Sequence, residues 1–459
     1  MLNFRPLDIT YRDRFLPYMA KRSQTCDRTF TNLFCWQDYY HTLYQEAEGW
    51  LIVRININGE RRVAYIVLSK EDEPHYPDII PLVGEDAARH GQPLSLMGLA
   101  ESECEMLQHQ LPGAFLFDKN RDFADYIYRA EDLRLLKGRK YAQKRNHVNK
   151  FKSLYRYHYE PLTIDNIEDC MRLERSWTSQ HTDIESAQAE FETIQRAFRY
   201  FEELQLRGGV LYVDNRIVAF TYGSAINQEI FCTHVEKADI QYEGVYQMIN
   251  HQFALHLPEN YLYINREEDL GVPGLRKSKM SYEPLRLAYK AQAMKMTSDM
   301  HDIVRIWHRC FGEDDVVYTF LSRYYFTDFT EVERLDGQIV SMVSMIPCHT
   351  DCGLGIYLYG VATDPDYQHR GISSKLILRV LEKCRKLDAA FTFLIPSEDE
   401  LIPFYDRFGF KPTNTWAVFH SDMDLGTGAT KKDRILVLPL IDSWKRESLP
   451  ELLNCTPML

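Results

Sequence analysis

Tyr357-Leu-Tyr-Gly-Val-Ala-Thr-Asp-Pro-Asp-Tyr-Gln-His-Arg-Gly-Ile-Ser-Ser-Lys375 is the stretch on which the fold of the last third turns. Its apolar half reads as a strand ending at Thr363. Asp364-Pro365 stops it, because Pro365 has no N–H to give to a ladder. Gln368-His-Arg-Gly-Ile-Ser-Ser374 then enters a helix, Gly371 to Leu387, with Ile372, Leu376, Ile377, Val380, Leu381 and Cys384 on one side. A loop entering a helix aims several free backbone N–H groups at one point, and the helix dipole adds to them. Such an end suits a pyrophosphate. Gly371 lets the backbone approach closely, and Arg370 adds a charged bond. An ordinary strand-to-helix turn fits the same residues. No G-x-x-x-x-G-K-S/T and no G-x-G-x-x-G occurs, so a P-loop or a dinucleotide fold is disfavoured.

Working outward, His301–Phe311 predicts a helix, with a second short one after Gly312. Phe329–Leu335, Asp336-Gly337 and Gln338–Ile346 predict a hairpin, since D-G between apolar runs is a strong hairpin signal. Leu354–Val361 is a strand, Ala389–Ile395 a buried strand, and Glu398–Phe408 a short helix stopped by Gly409. The middle of the chain repeats this order. Phe191–Leu206 reads as a helix, Gly209–Val213, Asp214-Asn215 and Arg216–Tyr222 as a hairpin, and Glu229–Val235 as a strand. Gly244–Leu257 is a helix and Tyr261–Asn265 a strand. Gly49–Ile57, Gly59-Glu60 and Arg61–Leu68 give a third hairpin. The fold class is α/β, an α+β sandwich repeated in three lobes. The best boundary lies at 288–298, which gives lobes at 1–145 and 146–292 and a domain at 296–459.

The 459 residues and 54.1 kDa suit several domains. Apolar residues at 45% and charged residues at 26% exclude general disorder, a coiled coil and collagen. No apolar run is long enough for a membrane span, and charges stand where a signal peptide needs an apolar stretch, so the reading is a soluble, cytoplasmic protein. The ten cysteines show no C-x-x-C and no zinc pattern, and are expected to be mostly buried thiols, with no metal site. The net charge of −12 divides evenly about residue 290 and gives no global case for nucleic acid.

Charge is uneven locally. Arg134 to Arg156 holds Arg134, Lys137, Arg139, Lys140, Lys144, Arg145, Lys150, Lys152 and Arg156 and no acid. A solvated helix face explains the run, and so does a site for a polyanion in which Arg139, Lys140, Lys144, Arg145 and Asn149 clasp phosphate. Asn265, Arg266, Glu267, Glu268 and Asp269 end a strand before Gly271 and Pro273. They form either an amine-binding site or a salt-bridge network that fixes lobe geometry.

The C-terminal segment resembles the GNAT acyltransferase superfamily. The family's acyl-CoA signature is Gln or Arg, two residues, Gly, one residue, then Gly or Ala. Here Gln368, Gly371 and Ser373 fill it, with a small serine in the last place. Phe404-Tyr-Asp-Arg-Phe-Gly-Phe410 resembles the family's terminal F-Y-x-x-x-G-F. The resemblance covers about 296–425. It implies an acyl-CoA cofactor, acetyl-CoA foremost, and a primary amine as acceptor. Val361, Ala362 and Thr363 would bond the pantetheine arm. Gln368, His369, Arg370, Gly371, Ile372, Ser373 and Ser374 would hold the pyrophosphate. Tyr405 would protonate the leaving thiolate, a task that suits a phenol with pKa about 10; a core aromatic beside Phe404 and Phe408 is the alternative. Seven residues before this Tyr the family often has Asn, and here stands Glu398. Glu313, Asp314 and Asp315 are weak candidates for a general base.

Phe30-Thr-Asn-Leu-Phe-Cys-Trp36, Tyr126–Phe151, Glu236-Lys-Ala-Asp239 and Asn265–Tyr282 resemble, in order, blocks of the phosphatidylglycerol lysyltransferase C-terminal domain family. That family is a tandem of two GNAT-like lobes, related to aminoacyl-tRNA-dependent peptidoglycan transferases. Over about 1–290 it implies aminoacyl transfer from tRNA to an amine or lipid head group, with a non-catalytic binding scaffold as the other possibility.

Overall fold

The computed structural model describes residues 2–19, 24–57, 62–178, 184–313, 315–325, 327–419, 434–441 and 443–458. The Gly59-Glu60 turn, Arg61 and Asp314 lie outside them. The chain forms two compact units, Met1–Met294 and Lys295–Leu459. Among the described residues it builds three seven-stranded sheets, with helices against them. The architecture is a mixed α/β one of three lobes.

Lobe one holds, in sheet order, Arg5–Pro6, Leu43–Ala47, Trp50–Ile57, Arg62–Ser69, Ser95–Leu99, Ala291–Lys295 and Phe115–Lys119. Lobe two runs Arg286–Ala288, Asp125–Arg129, Tyr263–Asn265, Ile230–Ala238, Arg216–Ala225, Arg207–Val213 and Tyr157–Pro161. The chain therefore leaves the first sheet after Lys119, builds the whole second sheet, and returns through Ala291–Lys295. The division read at 145 and 146 falls inside the Ala142–Leu154 helix, and the second sheet already includes Asp125–Arg129. The two lobes share one core: Phe15, Phe30, Leu33 and Phe34 pack with Ile194, Phe198, Phe220 and Tyr222. Each such side chain contributes about 1.5–3 kcal/mol by leaving water.

In the second unit the sheet order is Thr330–Leu335, Gln338–Thr350, Gly353–Thr363, Phe391–Leu394, Arg434–Pro439, Lys411–Phe419 and Leu452–Pro457. The Ser298–Phe311 helix starts at Thr297, whose hydroxyl accepts from the Met300 N–H, and buries Ile303, Ile306 and Trp307. Both hairpin turns have positive φ at their two central residues, 51° and 84° at Asp336-Gly337 and 48° and 61° at Asp214-Asn215. That is the type I′ geometry that matches strand twist. The middle helix is Ile184–Arg199, not 191–206. The chain beyond it turns, with Gln205 at φ 53°, before the Arg207–Val213 strand.

Candidate functional site

In the second unit the Gly353–Thr363 strand pairs in parallel with Phe391–Leu394 only from Gly355–Phe391 to Tyr357–Phe393. Beyond that point the two strands part, and residues 358–363 have no strand partner on that side among the described residues. Their backbone groups must then bond something other than a ladder. On the other side the register slips. Met342 faces Ala362 while Ser344 faces Tyr359, so Gly360 and Val361 bulge opposite Val343. Gly360 has φ 61°, and a Cβ there would meet Trp307 Cζ3 at 2.9 Å, so glycine is required.

The unpaired half leads straight into the loop before the Ile372–Lys386 helix. His369 and Gly371 have φ 61° and 77°, and Gly371 caps the Ile372–Lys386 helix. Consecutive N–H groups in such a turn make a concave nest for an anion. A run of hydroxyls ties the loop to the strand: Ser341 Oγ donates to the Ala362 carbonyl at 2.9 Å and lies 2.8 Å from Thr363 Oγ1, which lies 2.6 Å from Ser373 Oγ. The serine that departs from the family signature thus has a use of its own. Gln368 Nε2 donates to the Thr363 carbonyl at 3.0 Å, so this side chain braces the loop. Arg370 donates to the Asp366 carbonyl at 2.9 Å and is exposed. Sequence reading missed Asp364, fully buried, which accepts from Arg305 and, at 2.6 Å, from Arg309. The signal was there: the two arginines are four apart on one helix face.

Tyr405 sits on the Ile402–Asp406 helix with its ring in the core, 6% exposed, edge-on to Phe404 and Phe410. Burial pushes its phenol up to about 12, so it holds its proton throughout the physiological range. Glu398, Asp399 and Glu400 are exposed, as are Glu313 and Asp315.

Lobe two repeats the parting of strands. Ile230–Ala238 pairs with Tyr263–Asn265 only as far as Cys232–Asn265, and beyond that it has no strand on that side among the described residues. Its register with Arg216–Ala225 slips between Tyr222 and Gly223, leaving His234 as the extra residue. Gly244, at φ 82°, caps the helix that follows, as Gly371 does. In lobe one the Trp50–Ile57 and Arg62–Ser69 pair keeps its register throughout.

The free half of the lobe-two strand lies among charged side chains. Glu236 accepts from Arg266 at 3.1 and 3.2 Å and from Asn250 at 3.3 Å. Arg266 lies over the Tyr282 ring, and its Nη1 is enclosed without a hydrogen-bond partner among the described residues, as is Asn250 Oδ1. Burial, with Arg266 nearby, pushes Lys144 down to about 8 and lowers Lys279 as well. Lys144 donates to Ser281 Oγ at 2.6 Å, and Lys279 to the carbonyls of Arg266, at 2.6 Å, and Glu268.

Of the basic run, only Lys144 enters this cluster. Arg145 caps the Leu136 and Gly138 carbonyls, and Arg139, Lys140 and Asn149 are exposed. The residues 265–269 divide. Asn265 is buried and donates to Asp125 Oδ2 at 2.7 Å. Glu267 accepts from Asn32 at 3.0 Å, which gives the Phe30–Trp36 block its place. Glu268 pairs with Lys290 at 2.9 Å, and Asp269 is locked between Arg121 and Arg276. Lys290 and Asp125, both buried, were missed, because neither stands in a charged run.

Parted strands, a bulge and a glycine-capped helix, met twice, define a chain of GNAT-like lobes. Known proteins supply the family. The family described as phosphatidylglycerol lysyltransferase, C-terminal, matches residues 19–290, and the chain belongs to that family. Residues 292–413 match the acetyltransferase (GNAT) domain, so a GNAT domain is fused to it. A conserved protein of unknown function from Bacteroides thetaiotaomicron is 37% identical, with a TM-score of 0.61 over 64% of this chain and 100% of that one. The C-terminal domain of a putative lysylphosphatidylglycerol synthetase from Agrobacterium fabrum is 14% identical over 67% of this chain and 99% of that one, with a TM-score of 0.47. An uncharacterized protein of Mycoplasmoides gallisepticum is 26% identical over 166 residues, 35% of this chain and 52% of that protein. The chain thus spans about half the length of that curated relative. The chain thus carries a GNAT domain beside a phosphatidylglycerol lysyltransferase C-terminal domain. Among the described residues no helix is long and apolar enough to cross a membrane.

Proposed function

We propose that the second unit is an acyl-CoA-dependent N-acyltransferase, with acetyl-CoA as donor and a small primary amine as acceptor. The parted strands carry this reading. The strand edge at Val361, Ala362 and Thr363, which Phe391–Leu394 leaves unpaired, can take the amide-bearing arm of the cofactor. The nest from Gln368 to Ser374 can take its pyrophosphate. The acceptor amine attacks the thioester carbonyl and loses a proton to water, a backbone N–H near the Gly360–Val361 bulge steadies the oxyanion, and as the C–S bond breaks Tyr405 gives its proton to the departing sulfur and regains one from solvent. Acetyl-CoA is expected to raise the unfolding temperature of the full chain and to release heat in titration. No shift and no heat at millimolar acetyl-CoA would defeat the assignment.

A second reading puts aminoacyl transfer from tRNA to an amine or lipid head group in lobe two. Its support is the repeated parting of strands among Lys144, Arg266 and Lys279, with Arg266 Nη1 unpartnered among the described residues. Lys144 is buried and Arg145 caps a helix, so charge reversal there would test folding. The exposed pair Arg139 and Lys140 is the better probe. Filter binding of tRNA is expected to weaken steeply with salt, and R139E/K140E to flatten that slope by roughly 0.9 for each phosphate no longer neutralised. A slope near zero in the parent chain would remove tRNA from the account.

A further inference from the structure

Two clusters of metal-capable side chains lie side by side in lobe two. One is Cys26, Asp27 and Glu268, the other Cys232, His234 and Glu267. The first already holds a cation. The Lys290 ammonium lies 3.0 Å from Asp27, 2.9 Å from Glu268 and 2.9 Å from Asp125. In the second, the Glu267 carboxylate is 22% exposed and meets the Asn32 amide, His234 and the Cys232 thiol, with no Lys or Arg paired to it among the described residues.

We propose that Cys232 Sγ, His234 Nδ1 and Glu267 Oε1 form a three-ligand site for zinc. The three donor atoms lie within 4.8 Å of one another. Glu267 Oε1 is 2.9 Å from His234 Nδ1 and 3.7 Å from Cys232 Sγ. Tetrahedral zinc with its usual bonds to S, N and O spaces its ligands about 3.3–3.6 Å apart, so His234 and Glu267 part by about half an ångström to admit it. A thiol, an imidazole and a carboxylate are the donor set that borderline-soft zinc takes, whereas calcium and magnesium want oxygen alone.

The ligands are also held from behind. His234 Nε2 lies 2.7 Å from Ser224 Oγ, and Glu267 is fixed by the Asn32 amide and by its own N–H, which donates to Asn265 Oδ1 at 2.7 Å. Such outer partners orient metal ligands. Cys232 is buried, the His234 side chain is 5% exposed, and the part-exposed Glu267 leaves a way in. Binding replaces the thiol proton by the metal and releases it to solvent. Three protein ligands leave a fourth position open, as in catalytic zinc sites.

Cobalt(II) is the probe, because a thiolate ligand gives it an intense near-ultraviolet charge-transfer band and tetrahedral geometry gives strong visible bands. The full chain, freed of metal by a chelator, is expected to show both bands, saturating at one equivalent of Co²⁺. C232S should lose the charge-transfer band while C26S keeps it, and zinc should bleach the spectrum. Zinc should also raise the unfolding temperature of the parent chain but not of E267Q, a readout that does not depend on the C232S fold. A spectrum identical in C232S and parent, no band at one equivalent, or an equal zinc shift in E267Q would overturn the site.

Discussion

Lys290→Met is expected to destabilise the first unit by about 3–5 kcal/mol, because it leaves three carboxylates around an empty centre. The Lys290 side chain is 5% exposed and lies within 3.0 Å of Asp27, Asp125 and Glu268. Methionine keeps the length and apolar stem, so the loss comes from charge and not from a void. The sign of the pH dependence follows from Asp125. Burial pushes its carboxyl up to about 7, against the pull of Lys290. A carboxyl raised on folding contributes stability that is full below its unfolded value and lost as pH rises through the folded one. Without Lys290 that value rises further. At pH 5 the buried acid is then neutral and cheap to enclose, while at pH 8 the folded state must either hold an unpaired charge or take up a proton. The deficit is therefore larger at pH 8 than at pH 5. Native-state hydrogen exchange at Ile127 and Tyr128, beside Asp125 in the second sheet, reads this unit separately from the rest of the chain. A deficit under about 1 kcal/mol, or one that ignores pH, would mean that the carboxylates do not depend on this ammonium.

What could be read in advance followed local chemistry. Asp336-Gly337 and Asp214-Asn215 announce their hairpins because few residues tolerate positive φ in succession. The turn after Thr363 is marked by Pro365 and Gly371. Helical phase also separates Lys144 from its neighbours. Lys144, Val148 and Phe151 fall at i, i+4 and i+7 and are all buried, whereas Arg145 looks elsewhere. A count of basic residues treats the two alike, and that is where the reading of the run lost its edge. Other features have no local signature. Ala291-Gln-Ala-Met-Lys295 carries no β-branched residue, yet it enters the first sheet between two earlier strands. The Asp125, Cys26 and Lys290 cluster joins positions 99 and 264 residues apart, which no window along the chain can see. The bulge at Gly360 is set by register, and register belongs to the pairing of two strands.

Tyr405→Phe is expected to lower acyl-transfer turnover by about a hundredfold or more, the usual worth of a placed general acid, with little change in acyl-CoA affinity. The ring keeps its place because its contacts with Phe404 and Phe410 are the same for phenylalanine. The substitution therefore removes one proton donor and little else. A loss confined to kcat is the mark of a group used in the transition state, whereas a general loosening would raise KM as well. The pH profile adds an independent check. With the phenol held up at about 12 by burial, the parent enzyme should show no alkaline decline from loss of this acid below about pH 10. In the phenylalanine variant the departing sulfur must leave as a thiolate. A thiol with pKa near 8.5 can do so slowly, so residual turnover should persist. Residual rate should then depend on the leaving thiol: an acyl donor with a more acidic thiol should recover much of the loss in the variant and gain little in the parent. Equal turnover in the two proteins, or equal gain with the acidic donor, would return Tyr405 to the core as a packing residue.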